Sequence, residues 1–236
     1  MLALITVLLA PDALYSQGQT FQTAIVTTVG IDKAEEGVEV SVVFVVPQVN
    51  GQLGPKLETT SEKAENVALA MEQISYNLGK SVGLAHCEAI VLNIELFNND
   101  VAEYLDFFYR TNNLTINSTL IATSDKAKDI VGAITSEKNN LNLSLRNLTD
   151  FSDKNAYFSN INVDSFYLNY FNPYKLTIMN TIKVSDGSEG QGQSGEESSG
   201  GGSSGGSGEQ QGGGSGGQQQ KQIKSDAELI AVKKGK

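Results

Sequence analysis

Few residues of this chain have both the type and the spacing that chemistry needs. Gly79-Lys80-Ser81 has the ending of a phosphate-binding loop. Such a loop also needs a glycine five positions earlier, because its cradle is made of loop amides. That position is Ile74, inside a stretch with helical periodicity, so the triplet is not read as a phosphate site. His86 and Cys87 are adjacent and could suggest a thiolate–imidazole pair. Neighbouring residues of a strand point to opposite faces, so the two cannot face each other in regular geometry. They are the chain's only histidine and only cysteine. An intrachain disulfide and a site built from several His or Cys ligands are therefore excluded by count. A lone cysteine in an apolar run reads as a small buried hydrophobe. No GxSxG, HExxH, CxxC or calcium-loop pattern occurs. Carboxylates are plentiful, and two could meet in the fold to act in hydrolysis, but nothing selects a pair. Asn113, Asn117, Asn142 and Asn147 begin Asn-x-Ser/Thr sequons, for which chance suffices in a chain so rich in asparagine. The residues name no catalytic, cofactor-binding or metal site, and no small-molecule ligand.

The totals narrow the class. The 236 residues carry a net charge of −10, without a basic patch. Nucleic-acid binding needs clustered Lys and Arg and is not expected. A low-complexity tract leaves about 165 residues to fold, enough for one domain with a real core.

The surrounding elements read as an α/β (α+β) domain with a mixed sheet. Gln22–Asp32 and Gly37–Pro47 are rich in Val, Ile and Thr and predict two strands. The polar turn Lys33–Glu36 before Gly37 predicts a hairpin between them. Asn50–Lys56 reads as a loop. Thr59–Leu78 reads as one long helix: Thr59 and Glu62 have capping-box spacing, Val67, Met71, Ile74 and Leu78 share a face, and Gly79 stops it. Cys87–Ile94 predicts a strand apolar on both faces. Asn98 to Asp100 supply caps for a helix from Val101 to about Tyr109. Leu114–Thr123 alternates as a strand does, with Leu120 and Ala122 to one side and Thr119 and Thr123 mostly to the other. Ser124 is the expected cap of a helix through Ala127, Ile130, Val131 and Ile134. Helices between strands at these spacings argue for crossovers. Asn139–Asn162 reads as partly helical, Asp164–Phe171 as a short aromatic helix and Tyr174–Val184 as a strand.

The ends differ in character. Met1–Ala10 is an unbroken apolar run, too short to span a membrane and suited to the core of a secretory signal, although no basic residue precedes it. No cysteine follows it to carry a lipoprotein anchor. Asp186–Gln220 is almost only Gly, Ser, Gln and Glu, which predicts a disordered linker with an r.m.s. span of roughly 30 Å. After it, Glu228–Val232 reads as a strand, either the start of a truncated second domain or a piece that pairs back on the first. The organisation expected is a signal-like segment at 1–18, an α/β domain at 19–184, a linker at 185–222 and a short terminal strand at 223–236. The edge of the Gln22–Asp32 strand is the expected place for a partner, or for that terminal strand, to add on.

These pieces, in order, carry a family resemblance. Val29-Gly30-Ile31-Asp32 ends a first strand. A Val-rich strand ends at Pro47, and a helix leads to Gly79-Lys80-Ser81. Leu84-Ala85-His86 enters the strand Ala89–Asn93. Leu105-Asp106-Phe107-Phe108-Tyr109-Arg110 closes a helix, and Ile121-Ala122-Thr123 is followed by Lys126-Ala127-Lys128-Asp129-Ile130. After the tract comes Ala231-Val232-Lys233-Lys234-Gly235-Lys236. The chain resembles the N-terminal domain of the Ger(x)C family, the C subunits of nutrient germinant receptors in endospore-forming bacteria, over about residues 20–184. The resemblance implies a non-enzymatic, lipid-anchored protein on the outer face of the spore inner membrane. It would act in germination through protein–protein contacts with integral membrane subunits and the membrane surface, without a cofactor. The missing anchor cysteine and later domains depart from the family pattern. A secreted or surface-tethered binding or adhesion module is the alternative, and a hydrolase using two carboxylates a third.

Overall fold

The computed structural model describes residues 22–47, 56–111, 113–115, 118–136, 161–172, 176–186 and 221–232. The readings made for 1–18, for Asn50–Lys56, for Asn139–Asn162 and for the low-complexity tract lie wholly or mostly outside these residues.

Eight strands form one mixed sheet: β1 (Thr23–Lys33), β2 (Val38–Val46), β3 (Lys56–Ala64), β4 (Ser81–Gly83), β5 (Ala89–Asn93), β6 (Thr119–Thr123), β7 (Thr177–Asp186) and β8 (Lys221–Val232). Their order is β3-β2-β1-β5-β6-β7-β8, with β4 paired to β1. β1, β5, β6 and β7 run parallel, and β2, β3 and β8 complete the sheet antiparallel to their neighbours. The β1–β2 hairpin turns at Gly37, whose φ of 74° is the left-handed conformation a glycine adopts without strain.

Among the described residues four α-helices cover the sheet: α1 (Val67–Leu78), α2 (Val101–Arg110), α3 (Ala127–Ser136) and α4 (Val163–Tyr170). The strands supply two cores because successive side chains alternate faces. On one side, Val29, Ile31, Leu92, Leu120 and Ala122 pack with Met71 and Ile74 of α1, Leu105 and Phe108 of α2 and Phe166 of α4. On the other, Val43, Val91, Ile121 and Ile182 pack with Ile130, Val131 and Ile134 of α3. The alternation expected in β6 is present, and Thr119 and Thr123 are buried on their own side of the sheet. That strand begins at Thr119 and leaves Leu114 outside it.

Three expectations are corrected. Thr59–Leu78 is not one helix. Lys56–Ala64 is edge strand β3, paired with β2 along its whole length, so Thr59 and Glu62 lie in a ladder and cap nothing. The helix starts at Val67, where the Asn66 side chain accepts from the Leu69 amide at 3.0 Å. The strand expected at Gln22–Asp32 is not an edge: β2 flanks it on one side, β4 and β5 on the other. The terminal strand therefore pairs elsewhere, antiparallel to β7 from Thr177–Val232 to Asp186–Lys221.

The cap of α3 is also not local. The Lys126 carbonyl accepts the first helical bonds, from Asp129 at 2.9 Å and Ile130 at 3.3 Å, and a lysine there has no short side-chain oxygen to turn back. The carboxylate of Asp32, at the end of β1, accepts instead from the Ala127 amide at 2.7 Å and the Lys128 amide at 2.8 Å. Ser124, the expected cap, is exposed. Two residues before Asp32 on the same strand face, Gly30 lets α3 lie close: a Cβ there would stand 2.8 Å from Val131 Cγ2 and 3.0 Å from the Ala127 carbonyl oxygen. The Val29-Gly30-Ile31-Asp32 segment thus alternates two core residues with one that admits α3 and one that caps it.

Candidate docking surface

The residues weighed for chemistry are not brought together. Gly79 closes α1, its amide bonding back to the Ser75 and Tyr76 carbonyls, which is a helix end and not a phosphate cradle. His86 is exposed, whereas Cys87 is fully buried, its thiol directed to the Ala89 carbonyl at 3.5 Å. Burial pushes the Cys87 thiol up to about 12, so it carries no thiolate at neutral pH. Among the described residues no group of three or more His, Cys, Asp or Glu is placed to hold a metal ion.

The polar groups at the carboxyl ends of the parallel strands are engaged with the backbone. The Asn93 side chain donates to the Asp125 carbonyl at 2.8 Å and accepts from the Glu95 amide at 2.8 Å. The Asp125 carboxylate accepts from the Val184 amide at 2.8 Å, tying the β6–α3 turn to β7. Next to the Asp32 cap, the Lys128 ammonium donates to Glu39 at 2.6 Å, and Lys63 lies 3.9 Å from the same carboxylate. Partial burial alone would raise Glu39, but the hydrogen bond and positive charge of Lys128, with Lys63 and Lys126, hold it below the usual carboxylate range. These groups staple the fold together.

Among the described residues, large exposed apolar side chains gather on α2 and at the end of α4. α2 begins at Asp100, whose carboxylate accepts from the Ala102 amide at 3.1 Å, and α4 begins at Asn162, which accepts from Ser165 at 2.8 Å. The helices are pinned by two phenols. Tyr167 donates to the Ala102 carbonyl at 2.7 Å, and Tyr170 to the Asp100 carboxylate at 2.5 Å. The Asp100 hydrogen bond, with burial, pushes the Tyr170 phenol up to about 12. Burial, with the charges of Asp106 and Asp100, pushes Tyr167 above the ordinary tyrosine range as well. Tyr109 of α2 lies on Tyr167 with ring centroids 4.3 Å apart, and Phe171 stacks with Tyr167 at 5.9 Å. Phe166 is buried beneath, but Tyr109, Leu168 and Phe171 are 52, 72 and 66 % exposed, so α4 presents aromatic and aliphatic surface outward as well as inward.

Sequence reasoning recognised the aromatic helix but not this face. The available signal was that Phe166, Tyr167, Leu168, Tyr170 and Phe171 surround α4 more fully than one buried stripe requires. Along the α1–α2 seam runs an open groove of about 500 Å³, lined by Val67, Glu103, Asp106, Phe107 and Arg110 among others.

The chain matches the spore germination protein N-terminal domain over residues 21–184, most of its length. It belongs to that family. Family membership places the chain in spore germination and confirms the Ger(x)C resemblance. No curated protein and no solved structure matches it. Among the described residues, no helix is long and apolar enough to cross a membrane.

Proposed function

We propose that the chain is a non-enzymatic subunit of a nutrient germinant receptor, exported to the outer face of the spore inner membrane, where it works by contact with integral membrane subunits at the membrane surface. The reading rests on the family match across residues 21–184. The geometry supports it through the α2–α4 face, which offers a contact surface rather than a reaction centre.

The experiment is germination of spores from a strain lacking this chain beside its parent, followed as dipicolinate release. Loss of the response to one nutrient, with the response to pressure or surfactant intact, is the expected result. An unchanged response to every nutrient would overturn the receptor reading in favour of an exported binding module.

A further inference from the structure

The α2–α4 face combines two features that together describe a partner. Its centre is apolar and exposed: Tyr109 and Phe171 both pack on the buried ring of Tyr167, and Leu168 lies one turn before Phe171, the residue that ends α4. Three large apolar side chains more than half in water at one place are unusual on a surface that meets only solvent. The two helices that carry it are acidic. The charged side chains of the two helices and the Asp100 cap are Asp100, Glu103, Asp106 and Asp164 against Arg110 alone. Asp100 and Asp106 lie near enough to act on the Tyr167 phenol. Arg110 is committed to Asp106, with Nε 2.7 Å from both carboxylate oxygens, so it offers little free charge to an anion.

We propose that this face receives a segment of an integral receptor subunit that presents apolar side chains beside Lys or Arg. Tyr109, Leu168 and Phe171 bury the apolar side chains, and Glu103 and Asp164, both exposed, meet the basic groups at the rim. Rings with few rotatable bonds, fixed by neighbouring packing, lose little freedom on binding and make effective anchors. Charges around them select the partner and speed its approach. The same charges disfavour the other surface at hand, because an anionic bilayer repels an acidic rim and attracts a basic one.

The proposal rests on the receptor reading, and its test separates the two. Spores would carry the full chain as parent, as Leu168→Ser/Phe171→Ser, as Asp164→Lys, or with Tyr76→Ser as a control. Tyr76 is 85 % exposed and lies on α1. Two readouts are made: dipicolinate release with nutrient, and co-isolation of the chain with the integral subunits from detergent-solubilised spore membranes. The expected result is that the double variant lowers co-isolation roughly tenfold or more. Asp164→Lys, a single exposed charge change that leaves the packing alone, lowers it less and does so mainly at low salt, and Tyr76→Ser leaves it unchanged. Parental co-isolation in both α4 variants, while deletion of the chain abolishes the nutrient response, would overturn this surface and leave the receptor reading standing. A deletion without effect would overturn both. Sedimentation of the parent, but not the double variant, with phosphatidylglycerol–phosphatidylcholine vesicles would assign the face to lipid and overturn the protein partner.

Discussion

The carboxylate of Asp32 caps a helix that begins 95 residues later, at Ala127. One side chain at the end of the central strand thereby closes the amino terminus of the only described helix on its face of the sheet. Replacing Asp32 with Ala leaves the Ala127 and Lys128 amides without their acceptor. Loss of a helix cap costs about 1–2 kcal/mol, which urea unfolding of the variant beside the parent would measure. A variant as stable as its parent would show that another group can take over the cap.

The pH dependence of that cap has a definite sign. Burial raises the Asp32 carboxyl above its ordinary 3.8, although the Lys128 and Ala127 amides pull it down. A group raised on folding gives its contribution in full below the unfolded value and loses it as pH rises through the folded one. Asp32→Asn cannot ionise and keeps one acceptor oxygen. The stability of the parent relative to Asp32→Asn should therefore fall as pH rises through the range just above 3.8. Relative stability that instead grew across that window would mean that the amides outweigh burial.

Glu39 runs the other way. Its carboxylate is held down by Lys128, so its contribution is present above the ordinary 4.5 and disappears as pH falls through the lowered folded value. Glu39→Gln should cost about 1 kcal/mol near neutral pH, the scale of a partly shielded charge-assisted hydrogen bond. It should cost almost nothing once the parent is fully protonated. Urea unfolding of both proteins across that range checks it, and a pH-independent difference would remove the ion pair from the account.

Much of the sheet was legible because its signals are local. β1 and β2 announce themselves by β-branched residues and a turn at Gly37, and α2 by its Asp100 cap and the Val101, Leu105 and Phe108 stripe. What was not legible depends on distant residues. Lys56–Ala64 is a half-buried edge strand with charges on both faces, so its period carried less contrast than the accidental spacing of Thr59 and Glu62. No residue near Lys126 signals that its helix is capped by Asp32. The interior place of β1 follows from parallel pairing with β5, which no hairpin spacing encodes. The α2–α4 face left only a weak signal, the apolar residues on more than one side of α4, because which of them stay exposed depends on what packs around the helix.

Gly30 explains why the same strand can both carry the cap and hold α3 close. A methyl group there would press Val131 and the Ala127 carbonyl. Gly30→Ala should cost about 1–3 kcal/mol by overpacking. Val131→Ala should relieve part of this, so the double variant should be less destabilised than the two single changes combined. Strict additivity in a double-mutant cycle would show that the strain lies against the backbone carbonyl alone.

The register of the last two strands gives a further prediction. Asp186 pairs directly with Lys221, so the two ends of the low-complexity tract face each other across one antiparallel ladder. Residues 187–220 therefore connect the strands of a hairpin, and the ladder itself needs only a tight turn at that place. An Asn-Gly pair suits a two-residue hairpin turn. Replacing the 34 residues 187–220 by Asn-Gly should retain the β7–β8 pairing. It should also raise stability by roughly 2 kcal/mol, since the entropy of closing a loop grows with the logarithm of its length. Slow amide exchange at Thr181 in the shortened protein, together with a higher unfolding midpoint, would establish the hairpin. Faster exchange there than in the parent would mean that the tract is needed to seat the final strand.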